Sequence, residues 1–486
     1  MCGFLYIHDP KRRLTGQQMA ERVFLALLAE QHRGQHGGGL GYTNGSRVWC
    51  NRFFGLVSGQ FDDLGAHLDP PRPYRGQLKK LVDREPNRVL AHLRYATAGG
   101  AADLVHYQPH RIQLIGDTGV FASNGDIPLL EAERAKLARA GVDFESDNDA
   151  EFTLRFIAHI KQMENCSWVD AIRRFMQTIE GAYSGVLMTK KRTFFMRDPL
   201  GFRPFVVGRM SDGTIVAASE TCSLKILGAR FEFEVERGCI VEIEDDGTMH
   251  RSSYGGELPV CAAHCIFCLA YFARPDSRVF FDGRSWTKVR QKGSYSYEFG
   301  QQLGRIAPVD ADFCTSIPAS GDKACEGFSR ETGLQMIQLF VRNTFVPRTF
   351  IMSVQELREF LVRLKLGLMD DVLRKRPRVC IVDDSIVRAT TIREVIRIIR
   401  EAGASEVHIR IPFPPITDPC FMGVAMPTRD ELVASNRTLE QIREFIGADS
   451  LAYLPPEGLE EAMRRRGDEM SDYCTACFSG KYPLQV

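Results

Sequence analysis

Residues 379–391 read Val-Cys-Ile-Val-Asp-Asp-Ser-Ile-Val-Arg-Ala-Thr-Thr, and no other stretch limits the fold as much. Four apolar residues, too few for a buried helix, run straight into two carboxylates and a hydroxyl-rich turn. Over residues 392–402 the apolar side chains of Ile392, Val395, Ile396, Ile398 and Ile399 fall mostly on one helical face. The combination predicts a buried parallel strand, a loop and a helix N-terminus, which is where open α/β sheets bind anions. Backbone N–H groups of Ile386, Val387, Arg388, Ala389, Thr390 and Thr391, with the hydroxyls of Ser385, Thr390 and Thr391, could ring a monoester phosphate. Asp383 and Asp384, at the strand's carboxyl end, could accept ribose hydroxyls and help hold Mg²⁺. For an Asp-Asp pair alone, a turn capped by Asp would be the plainer reading.

At 486 residues the chain exceeds one ordinary core, so two or three domains are expected. A hydrophobic fraction of 44% and a charged fraction of 25% are those of a soluble globular protein. A net charge of +1 speaks against a dedicated nucleic-acid binder, and no apolar run approaches a membrane span. The apolar run 2–7 is too short for a signal-peptide core and precedes its basic residues, so a cytoplasmic location is expected. In a reducing compartment the 14 cysteines point to metal binding or catalysis before disulfides.

The chain begins Met1-Cys2-Gly3-Phe4. Met before a small residue is normally removed, leaving Cys2 with a free α-amino group; a pKa of about 8 suits that amine as general base for its own thiol. An incidental cysteine near a terminus is the bland alternative, and four segments weigh against it. Gln31-His32-Arg33-Gly34-Gln35 runs into Gly37-Gly38-Gly39, a helix end turning into a Gly-rich loop. Residues 92–99 carry Arg94, able to clamp a substrate α-carboxylate, and the hydroxyl of Thr97. In Ser123-Asn124-Gly125-Asp126 the Asn-Gly pair ordinarily marks a hairpin turn. Beside a nucleophile, the Asn124 amide and Gly125 N–H could instead form an oxyanion hole. Asp147, Asp149 and Glu151 open an amphipathic helix, where capping is the ordinary role and Asp149 could bind a substrate ammonium group. A thiol, an oxyanion hole, a carboxylate clamp and an ammonium site together describe hydrolysis of glutamine's side-chain amide.

On these residues, positions 1–257 resemble the class II, N-terminal-nucleophile glutamine amidotransferases. The resemblance implies an α+β fold, an αββα sandwich of two antiparallel sheets between helices. It makes Cys2, Asn124 and Gly125 catalytic and Arg94, Thr97 and Asp149 the glutamine-binding residues. Short β-rich segments at 185–188, 193–196, 204–207, 214–218 and 239–243 agree, and residues 197–204 resemble a tight turn of that family.

Cys261, Cys265 and Cys268 have the spacing that radical adenosylmethionine enzymes use for a 4Fe–4S cluster, while the pairs Cys265/Cys268 and Cys474/Cys477 could make a zinc site. A third reading comes from resemblance, because residues 265–277 look like the join between the halves of amidophosphoribosyltransferases. Cluster-bearing members of that family imply 4Fe–4S ligands at Cys265, Cys420, Cys474 and Cys477. Four thiolates are what such a cluster needs, and from three distant segments they would staple the tail to both domains. Zinc stays as the alternative, whereas the radical reading lacks a run of eight strand–helix repeats. Cys268 stands where the family usually has an acid.

Over residues 258–455 the pattern becomes βα, with strands expected near 313–317, 334–340, 379–382 and 406–411. That predicts an α/β domain with a parallel sheet and right-handed crossovers. Here the resemblance is to type I phosphoribosyltransferases, with residues 379–391 as their phosphoribosyl-diphosphate signature. It implies a ligand site made of Ser320, residues 383–391, Arg348 in a closing loop and Lys365, with Ser320, Asp383 and Asp384 around Mg²⁺. Residues 456–486 are expected to form a C-terminal helix and a cysteine-bearing tail packed on both domains.

The implied activity is that of a glutamine-dependent amidophosphoribosyltransferase. Glutamine is hydrolysed at Cys2 and ammonia passes to 5-phosphoribosyl 1-diphosphate, giving 5-phosphoribosylamine, the first step of de novo purine synthesis. Purine nucleotides as inhibitors and a dimeric or tetrameric assembly are implied with it. Ala319, Pro347, Ala389 and Ala425 depart from the family's residues. They motivate the alternative of a paralogue whose transferase half is degenerate or takes another acceptor. Ala389 replaces a loop glycine, so a negative φ is expected there.

Overall fold

The computed structural model describes residues 2–60, 76–95, 103–279, 291–343, 364–426 and 428–486. In chain order the first strands are β1 (Gly3–His8), β2 (Gly37–Thr43), β3 (Val48–Phe54), β4 (Arg88–Arg94), β5 (His110–Leu114), β6 (Asp117–Asp126), β7 (Ala182–Met188), β8 (Thr193–Arg197), β9 (Val206–Arg209), β10 (Ile215–Ala218), β11 (Arg230–Glu234), β12 (Cys239–Ile243) and β13 (Met249–Ser253). They form a seven-stranded sheet, β11-β9-β10-β1-β4-β2-β3, and a six-stranded sheet, β13-β12-β8-β7-β6-β5. Pairing within both is antiparallel.

Side-chain alternation explains the layering. Phe4 and Tyr6 of β1 point between the sheets, against Val120 and Ala122 of β6 and Val186 of β7. Leu5 and Ile7 point the other way, onto Met19, Val23 and Leu27 of the Gly16–Glu30 helix. On the far side, Phe121 and Leu187 meet Phe152, Phe156 and Phe175 from the helices Asp149–Met163 and Trp168–Thr178. The result is the helix–sheet–sheet–helix sandwich that the family resemblance implies.

Asn124 and Gly125 lie inside β6, not in a hairpin turn. Gly125 runs at φ +149°, and a Cβ there would sit 1.7 Å from the carbonyl oxygen of Ala182 on β7, so only glycine fits this close approach.

The later strands are β14 (His264–Cys265), β15 (Phe313–Ser316), β16 (Phe340–Arg342), β17 (Leu366–Leu368), β18 (Arg378–Val382), β19 (Glu406–Ile411), β20 (Ser450–Tyr453) and β21 (Tyr473–Cys474). A parallel sheet runs β15-β18-β19-β20. The strand expected at 334–340 is reduced to one parallel bridge, Cys314 to Met336, followed by the antiparallel pair β16–β17. Gln335, Met336 and Gln338 are exposed, so this segment has no second face to bury. β14 and β21 pair in parallel and set Cys265 opposite Cys474, which ties the linker to the tail. No helix among the described residues is long and apolar enough to cross a membrane.

Candidate functional site

Strand register brings the glutamine-site residues to one end of the sandwich. Gly3 pairs with Leu93, so Cys2 lies beside Arg94, and the Cys2 thiol faces the Tyr95 carbonyl at 4.0 Å. The Cys2 carbonyl accepts a 3.0 Å hydrogen bond from Arg33 Nε. Arg33 is fully buried and pairs with Glu220, which also accepts the Arg274 N–H at 3.0 Å. The segment 31–35 was legible as part of the site, but this fastening of the nucleophile's backbone was not.

Asn124 is fully buried, and neither atom of its carboxamide has a hydrogen-bond partner. An unsatisfied buried amide costs about 1–3 kcal/mol, so a ligand or intermediate is the natural recipient of its N–H. Arg94 donates to the His106 carbonyl and stacks over the Tyr107 ring at 5.1 Å, while its Nε is buried with no partner. Half of the guanidinium is thus engaged in holding itself in place.

Asp149 opens the Asp149–Met163 helix behind the N-cap Asn148. Burial, then the charges of Asp126 and Cys2, push its carboxyl up to about 8. Asp126 was quoted in the motif without a role; burial raises it too. If Asp149 binds the substrate ammonium, it must be ionised to do so, and glutamine affinity should rise with pH between about 6 and 8, by at most about tenfold per unit. Stability runs the other way. The folded pKa lies above the unfolded value, so this carboxyl weakens the fold as pH climbs from about 4 towards about 8. Calorimetric titration of glutamine into a Cys2→Ala protein at several pH values checks this, and Asp149→Asn should weaken binding and flatten the profile. A pH-independent affinity in the Cys2→Ala protein with Asp149 intact would contradict the assignment.

The phosphate-type loop sits where its strand ends. Asp383 and Asp384 are buried behind β18; Asp384 N–H donates to Asp383 Oδ1 at 3.0 Å and the Ser385 hydroxyl to Asp384 Oδ1 at 2.9 Å. Burial, then the Asp384 charge, holds the Asp383 carboxyl well above the usual range, and Lys365 opposes the rise. So dense a negative site favours a cation. The neighbouring loop is close by: a Cβ on Gly321, the residue after Ser320, would lie 2.8 Å from the Val382 carbonyl oxygen and 3.3 Å from the Asp383 Cα. Arg388 is taken up by Glu431, leaving this loop's backbone to meet a phosphate. Lys292, unnoticed in the sequence, is buried; burial lowers its pKa and Asp384 opposes the fall. Thr97 and Arg348 lie outside the described residues.

The negative φ expected at Ala389 is wrong. Ala389 is at φ +60°, ψ −1°, immediately before the Thr390–Glu401 helix, so the loop keeps a left-handed residue without glycine. Left-handed alanine costs about 1–2 kcal/mol, partly offset because glycine would loosen the unfolded chain by about 0.4–1 kcal/mol. Ala389→Gly should therefore raise stability by about 0.5 kcal/mol and Ala389→Val lower it by about 2 kcal/mol, read from urea midpoints.

Cys265, Cys420, Cys474 and Cys477 line one cavity, walled also by Phe267 and Arg203. Among the described residues no three His, Cys, Asp or Glu side chains converge as ligands of a single metal ion would. Burial, then the neighbouring sulfurs, raises the thiols of Cys474 (to about 12) and Cys477. Cys265 is lowered, first by a hydrogen bond with Cys268 and then by Arg203. Cys268 is fully buried and accepts from Arg203 Nη1 at 3.9 Å.

The family described as glutamine amidotransferase domain matches residues 107–226. The amidophosphoribosyltransferase of Archaeoglobus fulgidus is 36% identical over 486 residues, covering 100% of this chain and 98% of the relative. That of Drosophila melanogaster is also 36% identical, covering 96% of this chain and 86% of the relative. Two solved structures each superpose with a TM-score of 0.84 over 100% of this chain. One is the allosteric regulatory enzyme of purine biosynthesis, 33% identical with 97% of its chain covered. The other is glutamine phosphoribosylpyrophosphate amidotransferase from B. subtilis complexed with ADP and GMP, 32% identical with 98% covered.

Proposed function

The chain belongs to the amidophosphoribosyltransferases, and on that premise we propose that it hydrolyses glutamine and transfers the ammonia to 5-phosphoribosyl 1-diphosphate, the first step of purine synthesis. The observation that carries this reading is the orphaned Asn124 carboxamide, at the end of the sandwich where Cys2, Arg94 and Asp149 meet. The Cys2 amine, free once Met1 is removed, takes the thiol proton, and the thiolate adds to the side-chain amide carbon. Asn124 Nδ2 and the Gly125 N–H receive the developing oxyanion. The amine returns that proton to the departing nitrogen, ammonia leaves, and water cleaves the thioester, releasing glutamate with the thiol restored. Arg94, with Thr97, and Asp149 hold the two ends of the amino acid.

In the second half, ammonia forms the C1–N bond as the bond from C1 to diphosphate breaks. The backbone of residues 386–391 and the hydroxyls of Ser385, Thr390 and Thr391 hold the 5-phosphate, with Arg348 and Lys365 as further cationic contacts. Ser320, Asp383 and Asp384 would hold Mg²⁺, which when bound neutralises charge on the leaving diphosphate. The left-handed Ala389 keeps this loop's backbone form, which favours a working transferase over a degenerate one. Diphosphate release from phosphoribosyl diphosphate, with ammonia supplied in place of glutamine, is the test. No diphosphate from either nitrogen source would sink the proposal.

The four cysteines of the shared cavity would hold a 4Fe–4S cluster with a structural role. Sulfurs grouped around one space, without single-ion convergence among the described residues, support a cluster over zinc. Protein purified without oxygen should contain about four iron and four sulfide per chain, and Cys474→Ser should lose them; stoichiometric zinc would overturn this. The B. subtilis relative was complexed with ADP and GMP, which motivates purine nucleotides as inhibitors of this chain. A cytoplasmic homo-oligomer, dimer or tetramer, completes the proposal.

A further inference from the structure

We infer that Gly423, in the turn after Cys420, is a positioning residue for the oxyanion hole of the glutamine site. This rests on reading Asn124 and Gly125 as that hole. Gly423 is at φ +97°, and a Cβ on it would lie 2.6 Å from both the carbonyl carbon and oxygen of Gly125 and 3.1 Å from its Cα. These are backbone atoms, which cannot swing aside. On its other side Gly125 is already pressed against β7, with no room for a Cβ beside the Ala182 carbonyl. The Gly125 peptide is therefore clamped between a strand of the sandwich and a turn contributed by the chain's second half.

The turn is itself held firmly. Arg203, fully buried, donates to the Met422 carbonyl, and the Met422 N–H donates to Cys420 Sγ at 3.4 Å. The Met422 side chain is buried with Ala182 and Phe202 of the first half and Ala263 of the linker. The Cys420 N–H donates to the Met426 carbonyl at 2.9 Å and closes the loop. A peptide fixed from both sides keeps its neighbouring N–H aimed without reorganisation during the reaction, which is what makes an oxyanion donor effective. The donor acts on the tetrahedral state, not on bound glutamine, so its misplacement lowers kcat and leaves KM nearly unchanged. The transferase half thus supplies one wall of the amidase's transition-state pocket.

The test compares a ligand that makes the oxyanion with one that does not. The γ-aldehyde of glutamate adds the Cys2 sulfur to its carbonyl carbon, and the resulting thiohemiacetal oxygen needs the hole; glutamate forms no such bond. In the full-length protein, Gly423→Ala should lower glutamine kcat and aldehyde affinity together, by at least about tenfold, with glutamine KM and glutamate Kd within about twofold. Arg203→Met, which has no donor for the Met422 carbonyl, should give the same pairing at smaller size and serves if Gly423→Ala does not fold. Unchanged kcat and aldehyde affinity, or a parallel loss of glutamate binding, would overturn the inference. Asn124→Ala separates it from the underlying reading. If that variant keeps full aldehyde affinity, the oxyanion hole is misassigned; if it loses affinity and Gly423→Ala does not, only the positioning role fails.

Discussion

Replacing Cys2 by alanine is expected to abolish phosphoribosylamine formation from glutamine while formation from ammonia continues near the parent rate. In the proposed mechanism Cys2 supplies both the attacking sulfur and, through its amine, the base, so nothing else in the site replaces it. Loss of a covalent nucleophile costs up to about a millionfold in kcat, which puts the glutamine reaction below detection. The ammonia reaction needs only the loop after β18 and its neighbours, which share no side chain with Cys2. Rates measured with each nitrogen source in the same preparation check the split. Equal loss of both would mean that Cys2 supports the fold and not the chemistry.

Asn124→Ala should lower glutamine kcat by about 10²–10³ with KM little changed, because the amide is asked to act only on the tetrahedral oxyanion. Its effect on stability should run against its effect on rate. The carboxamide is buried and unpartnered, so removing it relieves a penalty of about 1–3 kcal/mol and offsets much of the small cavity left behind. An unfolding midpoint no lower than the parent's, beside a kcat lower by two orders of magnitude, would mark a residue kept for catalysis at the fold's expense. A large loss of stability with an unchanged rate would place Asn124 in the scaffold.

The motifs that were legible are those whose chemistry is local. Residues 379–391 carry strand, turn and helix start in one run, and in Asn124-Gly125 a side-chain amide and the next backbone N–H stand side by side in the sequence. Asn124-Gly125 still ran as strand and not turn, because the pairing partner on β7, about sixty residues away, decides that. Ala389 was misjudged for a related reason: a rule about alanine's φ omits the packing that over-determines a buried loop. Arg33 and Gly423 act through contacts with residues far off in sequence, Cys2 and Glu220 for one, Gly125 for the other. No spacing or periodicity encodes such contacts. The four cysteines were grouped by resemblance, and their shared cavity is a tertiary fact.

The two halves are proposed to run one coupled reaction, so the most direct measurement counts glutamate and diphosphate in the same aliquots. With glutamine, phosphoribosyl diphosphate and Mg²⁺ present, the two products should appear one to one, and glutamate release should fall when phosphoribosyl diphosphate is withheld. Glutamate released at the same rate with or without phosphoribosyl diphosphate, and with no diphosphate formed, would contradict the account.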